Sequence, residues 1–198
     1  MEVIALVKRK EYLHRLIQWK DEQLIKVVTG IRRCGKSTML MQYQEWLKDN
    51  NISDEQIISI NFEDLEYEEL QDYQKLYDYL KHRLCKGKMT YIFLDEIQKV
   101  PSFEKVVDSL YIKANVDIYI TGSNAYMLSG DLATLLTGRY VEIKMLPLSF
   151  KEFLEICKMD QERGLTEYMR VGGLPYIATM DRTQEKLETY LEGIYNTV

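Results

Sequence analysis

The sequence predicts an α/β fold, a parallel sheet covered by helices on both faces, and three observations predict it. Short β-branched or apolar runs recur along the chain, the first ending at Gly30 and the third in the polar pair Asp95-Glu96. Between them lie segments of helical length whose apolar positions follow a 3.6-residue period, the alternation that builds right-handed strand-helix-strand crossovers. The first run ends at Gly30, and a loop bounded by a second glycine leads from there directly into a helix. A chain of 198 residues, 46% hydrophobic and 29% charged, is long enough for one such domain with a small appendage.

Taken in order, a helix is expected around Tyr12 to Trp19, and Leu24 to Thr29 reads as the first buried strand. From Lys36 the apolar positions Met39, Leu40, Tyr43, Trp46 and Leu47 describe a helix face that Asp49, Asn50 and Asn51 end. Gln56 to Phe62 forms the second strand, and Leu70, Tyr73, Leu76, Tyr77, Leu80 and Leu84 predict one long amphipathic helix closed by Gly87. Tyr91 to Leu94 is the third strand and runs into Asp95 and Glu96. Pro101 is placed in the first turn of a helix whose inner face is Phe103, Val106, Val107, Leu110 and Tyr111. Val116 to Ile120 is the fourth strand, Met127 to Leu136 a helix capped by Gly138, and Tyr140 to Ile143 the fifth strand. Beyond Pro147 the pattern turns helical. Ser149 and Glu152 have capping-box spacing, Leu148 and Phe153 the spacing of a hydrophobic staple, and Gly172, Gly173 and Pro175 interrupt the remainder of the chain. The expected domains are therefore a core over 1–146, with 1–22 as an N-terminal segment, and a helical region over 147–198 that looks incomplete.

The bulk numbers exclude some functions. No apolar run approaches the roughly 18 residues needed to span a bilayer, and the start is not a secretory leader, so a cytoplasmic protein without a membrane partner is expected. A net charge of −5 exerts no general pull on nucleic acid. Cys34, Cys85 and Cys157 lack metal-ligand spacing and predict reduced thiols.

Gly30-Ile31-Arg32-Arg33-Cys34-Gly35-Lys36-Ser37 has the spacing of a phosphate-binding loop. The glycines let backbone N–H groups converge on phosphate oxygens, and the positive end of the helix starting near Lys36 adds to them. The Lys36 ammonium is expected on the β and γ phosphates, Ser37 on magnesium, and Thr38 near the α phosphate. Asp95, at the carboxyl end of an apolar strand, is expected to hold the magnesium, with Glu96 as the base that activates water. ATP with Mg2+ is thus the expected ligand. Ser123 and Asn124, after the fourth strand, have the chemistry to reach between the γ phosphate and the water, although Ser and Asn are also ordinary turn residues. Arg139 is a candidate arginine finger, or simply a cation at a helix end. The acids from Glu63 to Glu69 are read as opening the long helix and Lys81, Arg83, Lys86 and Lys88 as closing it. Arg32 and Arg33 face phosphate, a partner or solvent, and Cys34 between them is a candidate reactive thiol.

GIRRCGKS, the strand ending in Asp95-Glu96 with Ile97 and Gln98, the ITGSNA segment from Ile120 and LLTGRYVEIKMLPLSFKEF from Leu135 resemble the poorly characterised AAA+ ATPases of bacteria and archaea. The resemblance runs from about Arg9 to Tyr176. It implies a sheet of order 5-1-4-3-2, Ser123 or Asn124 as sensor, and Arg139 as a finger presented to a neighbouring subunit, hence a homo-oligomer. It also implies that 147–198 is a helical lid or the start of a winged-helix-like region, with a nuclease-like C-terminal domain beyond this chain; a protein or nucleic-acid partner is left open. Arg170 has no secure counterpart. An ATP-driven switch or motor is the leading expectation. An ATP-binding scaffold with negligible turnover and a small-molecule kinase compete with it, and a GTPase is disfavoured because no Asn-Lys-x-Asp motif is present.

Overall fold

In the computed structural model, residues 9–122, 136, 138–181 and 183–195 are described, and they fall into two compact units. The larger comprises Lys10–Arg32 and Lys36–Met145. Its strands are β1 (Ile25–Gly30), β2 (Ile57–Asn61), β3 (Thr90–Asp95), β4 (Val116–Thr121) and β5 (Tyr140–Met145). All neighbours pair in parallel in the order β2-β3-β4-β1-β5, the 5-1-4-3-2 sheet expected, counted from the other edge. Its helices are α1 (Lys10–Gln18), α2 (Lys36–Asp49), α3 (Tyr73–Arg83) and α4 (Phe103–Tyr111).

Side chains alternate across a strand, and here the alternation sorts the sheet into two faces. Ile25, Val27, Ile92, Leu94, Ile118 and Ile120 pack with Leu76 and Leu80 of α3 and with Val106, Val107 and Leu110 of α4 in one buried core. Each such side chain contributes about 1.5–3 kcal/mol by leaving water. The intervening positions face α2, where Phe93 and Tyr119 stack with ring centroids 4.8 Å apart and Tyr43 of α2 lies 5.1 Å from Tyr119. Thr121 and Asp95 have the same parity as Tyr119 and Phe93, so they belong to this α2 face.

Two expectations need correction, and a third is untested. The helix predicted from Leu70 to Leu84 is two elements: a 3-10 helix at Leu65–Gln71, then α3 from Tyr73. Asp72 breaks the run because its extended backbone and its carboxylate, which accepts from Gln74 N and Lys75 N, make it an N-cap. The acids from Glu63 to Glu69 therefore precede α3 in the turn and 3-10 segment, while Lys81 and Arg83 do lie in its last turn. Pro101 stands before α4, whose N-cap is Ser102 in the left-handed region at φ 61°. The helix predicted from Met127 lies outside the described residues apart from Leu136, to whose carbonyl Arg139 N donates at 2.9 Å.

The smaller unit holds Arg9, Arg33–Gly35 and the chain from Leu146 onward. Its helices are α5 (Phe150–Cys157), α6 (Gln161–Val171), α7 (Pro175–Thr179) and α8 (Gln184–Tyr195). Ser149 and Glu152 make the capping box their spacing predicts, and Leu148, Phe153, Val171, Ile177, Ala178 and Leu187 form the core. Gly173 is required there: a Cβ would come 2.4 Å from the carbonyl oxygen of Leu148, and the Leu148 N–H donates to Gly173 O at 2.7 Å. Arg9, 6% exposed, ties the unit together by donating to both Glu152 oxygens, to the Leu146 and Pro147 carbonyls and to Cys34 O. Burial pushes the Glu152 carboxyl up, but hydrogen bonds from Arg9 and Ser149 prevail and hold it below its ordinary value.

Candidate functional site

In an open parallel sheet, ligands gather where strands end at their carboxyl termini. Here β1 delivers Gly30, β3 delivers Asp95, and β4 delivers Thr121. The loop from β1 to α2 turns on positive φ angles at Arg33 (65°) and Gly35 (99°), a backbone curl that glycine adopts without strain and that brings N–H groups round toward an anion. Lys36 is the first residue of α2 and is buried. Its ammonium donates to Gly30 O at 3.2 Å and Ile31 O at 3.4 Å, and lies 3.9 Å from Glu96 Oε1. Ser37 is exposed and Thr38 half-buried in the first turn.

Glu96 follows Asp95 in an unusual backbone state, the left-handed region at φ 55° and ψ 45°. That conformation costs an ordinary residue about 1–2 kcal/mol, so other contacts must hold it. The Glu96 N–H donates to Thr121 Oγ1 at 3.0 Å, Lys99 N donates to the Glu96 carbonyl at 3.1 Å, and Gln98 Nε2 donates to Glu96 Oε2. The Thr121 hydroxyl in turn donates to Asp95 Oδ1.

The structure thus brings Lys36, Asp95 and Glu96 to one edge of the sheet, and adds two residues that sequence reasoning passed over. Thr121 was readable only as part of a turn segment. Its signal was the strand order: with β3 beside β4 and Leu94 paired to Ile120, the next residues, Asp95 and Thr121, are neighbours. Gln98 gave no signal, because its reach back to Glu96 depends on the 3-10 turn at Ile97–Lys99.

Other candidates lie elsewhere. Ser123 and Asn124 are outside the described residues. Arg139 precedes β5, level with the start of β1, where Ile25 N donates to its carbonyl at 2.8 Å. The pairing of Ile25 with Tyr140 and of Gly30 with Met145 puts it about five strand residues, roughly 16 Å, from the end of β1 that carries the loop. Its guanidinium pairs with Asp108 of α4 and sits 5.7 Å from the Tyr111 ring centre. Arg33 lies 5.6 Å over the Tyr190 ring, Arg32 is exposed, and Arg170 pairs with Glu167 one turn earlier. The expectation of a reactive Cys34 is overturned, since the residue is fully buried and a thiolate nucleophile needs access.

Among the described residues, no group of three or more His, Cys, Asp or Glu side chains is placed to hold a metal. The donors at this edge, a Ser37 hydroxyl and one Asp95 carboxylate, suit magnesium, a hard cation that takes few protein oxygens and completes its shell with phosphate and water. Also among the described residues, no helix is long and apolar enough to cross a membrane.

Comparison with known proteins agrees with this geometry: residues 22–154 match the AAA domain family. The chain belongs to that family. Two curated relatives of this AAA chain are uncharacterised, one from Haemophilus influenzae, 44% identical over 98% of this chain and 50% of its own, and one from Methanocaldococcus jannaschii, 32% identical over 98% and 46%. The AAA chain therefore spans about half the length of these relatives. Among solved structures, a Walker-type ATPase of Pyrococcus abyssi superposes with a TM-score of 0.61 at 18% identity, covering 87% of this chain and 65% of its own. The Aeropyrum pernix ORC1 protein, solved in complex with DNA, gives 0.52 at 13% identity, covering 83% and 50%. At such identities the likeness shows the fold. It is the AAA family match over residues 22–154 that supports a nucleotide-binding, ATPase-like role.

Proposed function

We propose that the chain binds ATP with magnesium at the carboxyl edge of its sheet and hydrolyses it, working as a nucleotide-driven switch or motor. The observation that carries this reading is the meeting of the Lys36 ammonium and the Glu96 carboxylate, 3.9 Å apart at the end of the glycine loop. A phosphate-binding lysine beside a carboxylate is what transfer of a phosphoryl group to water requires.

In this reading the loop N–H groups and Lys36 hold the β and γ phosphates, and Ser37 and Asp95 hold magnesium, whose charge offsets that of the phosphates. Glu96 accepts a proton from water as its oxygen bonds to the γ phosphorus. The bond from that phosphorus to the bridging oxygen breaks, and its electron pair leaves with ADP. Ser123 or Asn124 senses the γ phosphate, and Arg139 serves the site of a neighbouring copy. The output passes to a protein or nucleic-acid partner, or to the nuclease-like region that the resemblance implies.

Glu96→Gln in the full-length protein tests the reading. ATP affinity should stay within about threefold, while turnover falls by about 10²–10⁴, the range for loss of a general base. Hydrolysis at the wild-type rate would remove Glu96 from the mechanism. Wild-type protein that binds ATP and releases no labelled phosphate would favour the scaffold, and label appearing on a small-molecule acceptor would favour a kinase.

A further inference from the structure

We infer that Thr121 is the positioning residue of this site, a single hydroxyl that sets both acids at once. The inference rests on the hydrolytic reading above and names what holds its two carboxylates. Thr121 is fully buried at the end of β4, on the α2 face of the sheet. Its hydroxyl has one proton and two lone pairs, and both functions are engaged here. The proton goes to Asp95 Oδ1, and a lone pair accepts the Glu96 N–H at 3.0 Å.

Each contact has a consequence. The bond to Oδ1 fixes the rotation of the Asp95 carboxylate and leaves Oδ2 to face a cation. A hydroxyl donating to a carboxylate is charge-assisted and strong enough to select that rotation. The bond from Glu96 N–H stabilises a left-handed residue that would otherwise relax toward common backbone angles, carrying its carboxylate away from Lys36. β4 is a central strand, packed between β3 and β1, so the hydroxyl is presented from the most rigid part of the sheet. A misplacement of about 1 Å at such a site can cost about a hundredfold in rate.

The test compares Thr121→Val, which keeps the volume and removes the hydroxyl, and Thr121→Ala with Thr121→Ser, which keeps the hydroxyl. Glu96→Gln serves as reference, all in the full-length protein. Val and Ala should lower kcat at least about tenfold and raise the magnesium concentration for half-maximal hydrolysis, with ATP affinity within about threefold, and Ser should restore most of the rate. Wild-type kcat and magnesium dependence in Val or Ala, or a folded Ser variant as impaired as they are, would overturn the role. So would unfolding of both Val and Ala beside a folded Ser, because the hydroxyl would then serve only the fold. If wild-type protein binds ATP and releases no phosphate, the hydrolytic reading has failed instead, and if Glu96→Gln hydrolyses normally only the base role of Glu96 has, so the failures stay distinct.

Discussion

Two polar clusters occupy the same face of the sheet, one at each end of its strands, and they use similar residues to opposite effect. At the amino ends, Lys26 and Asp117 are buried and paired at 2.6 Å, and Lys26 also donates to Glu22 O. Asp117 Oδ2 accepts from Asp21 N and from Tyr119, whose hydroxyl meets that of Tyr43 at 2.8 Å. Tyr91 closes the cluster on Asp21 at 2.7 Å. Every charged atom is answered by a neighbour, as burial demands. At the carboxyl ends, Lys36 has only loop carbonyls at 3.2 Å or more and a carboxylate at 3.9 Å, Glu96 is strained, and Gln98 Oε1 is buried without a partner among the described residues. A lysine, an acid and a hydroxyl make structure where every bond closes, and a site where the bonds are long and the backbone is held out of its minimum.

The sharpest challenge to this division is Arg139. It lies at the amino end, yet its side chain is 43% exposed and stands outside the buried network, held by Asp108. If it acts as a finger on a neighbour, Arg139→Ala should lower turnover about a thousandfold in an oligomer. Lys36→Ala protein, which cannot use ATP but keeps its arginine, should restore part of that activity when the two are mixed. No recovery in a demonstrated mixed oligomer would return Arg139 to the role of a helix-end cation and leave the amino end purely structural.

Within the closed cluster, Lys26→Met removes the cation from a buried pair and should cost about 3–5 kcal/mol in chemical denaturation. Burial already pushes the Asp117 carboxyl above its ordinary range against the pull of Lys26, so the orphaned acid would take up a proton or destabilise the sheet. ATP affinity of the folded fraction should be unchanged. A stable Lys26→Met protein would show that the pair contributes little and that packing alone holds this end.

Lys36→Ala is the counterpart at the open end. ATP affinity measured by calorimetry should fall at least about tenfold, about 1.4 kcal/mol, with the denaturation midpoint nearly unmoved. A large stability loss with intact affinity would exchange the roles assigned to the two clusters.

The two ends differ in how legible they were. The glycine loop, Asp95 and Glu96 are local patterns, and the strands that present them follow from apolar runs, so the carboxyl edge could be anticipated, while the sheet order came from the resemblance to AAA+ ATPases. Lys26 sat unremarked inside an apolar strand because its partner, Asp117, lies far along the chain, and Thr121 gained meaning only from its register against Asp95. The break at Asp72 was hidden because apolar spacing continued through it, and only the capping geometry of its carboxylate separates the 3-10 helix before it from α3 after it. Periodicity reports which face a residue takes, and it is silent on long-range polar pairing.

The smallest expected effect is alkaline. Burial pushes the Tyr91 hydroxyl up to about 12 and raises those of Tyr43 and Tyr119 as well. A tyrosine ordinarily ionises near pH 10, so below that value neither folded nor unfolded chain is charged at these positions and the stability is fully present. Between about pH 10 and 12 the unfolded chain loses protons that the folded chain keeps, and stability falls as pH rises through that window. The denaturation midpoint should therefore decline from pH 10 upward, beyond what the lysines account for. Tyr43→Phe should lower stability by about 1 kcal/mol at pH 8, by loss of its bond to Tyr119, and should make the alkaline decline shallower. An equal slope in wild type and Tyr43→Phe would mean that Tyr43 ionises as readily in the folded chain as in the unfolded one, and that the amino-end cluster is open to water after all.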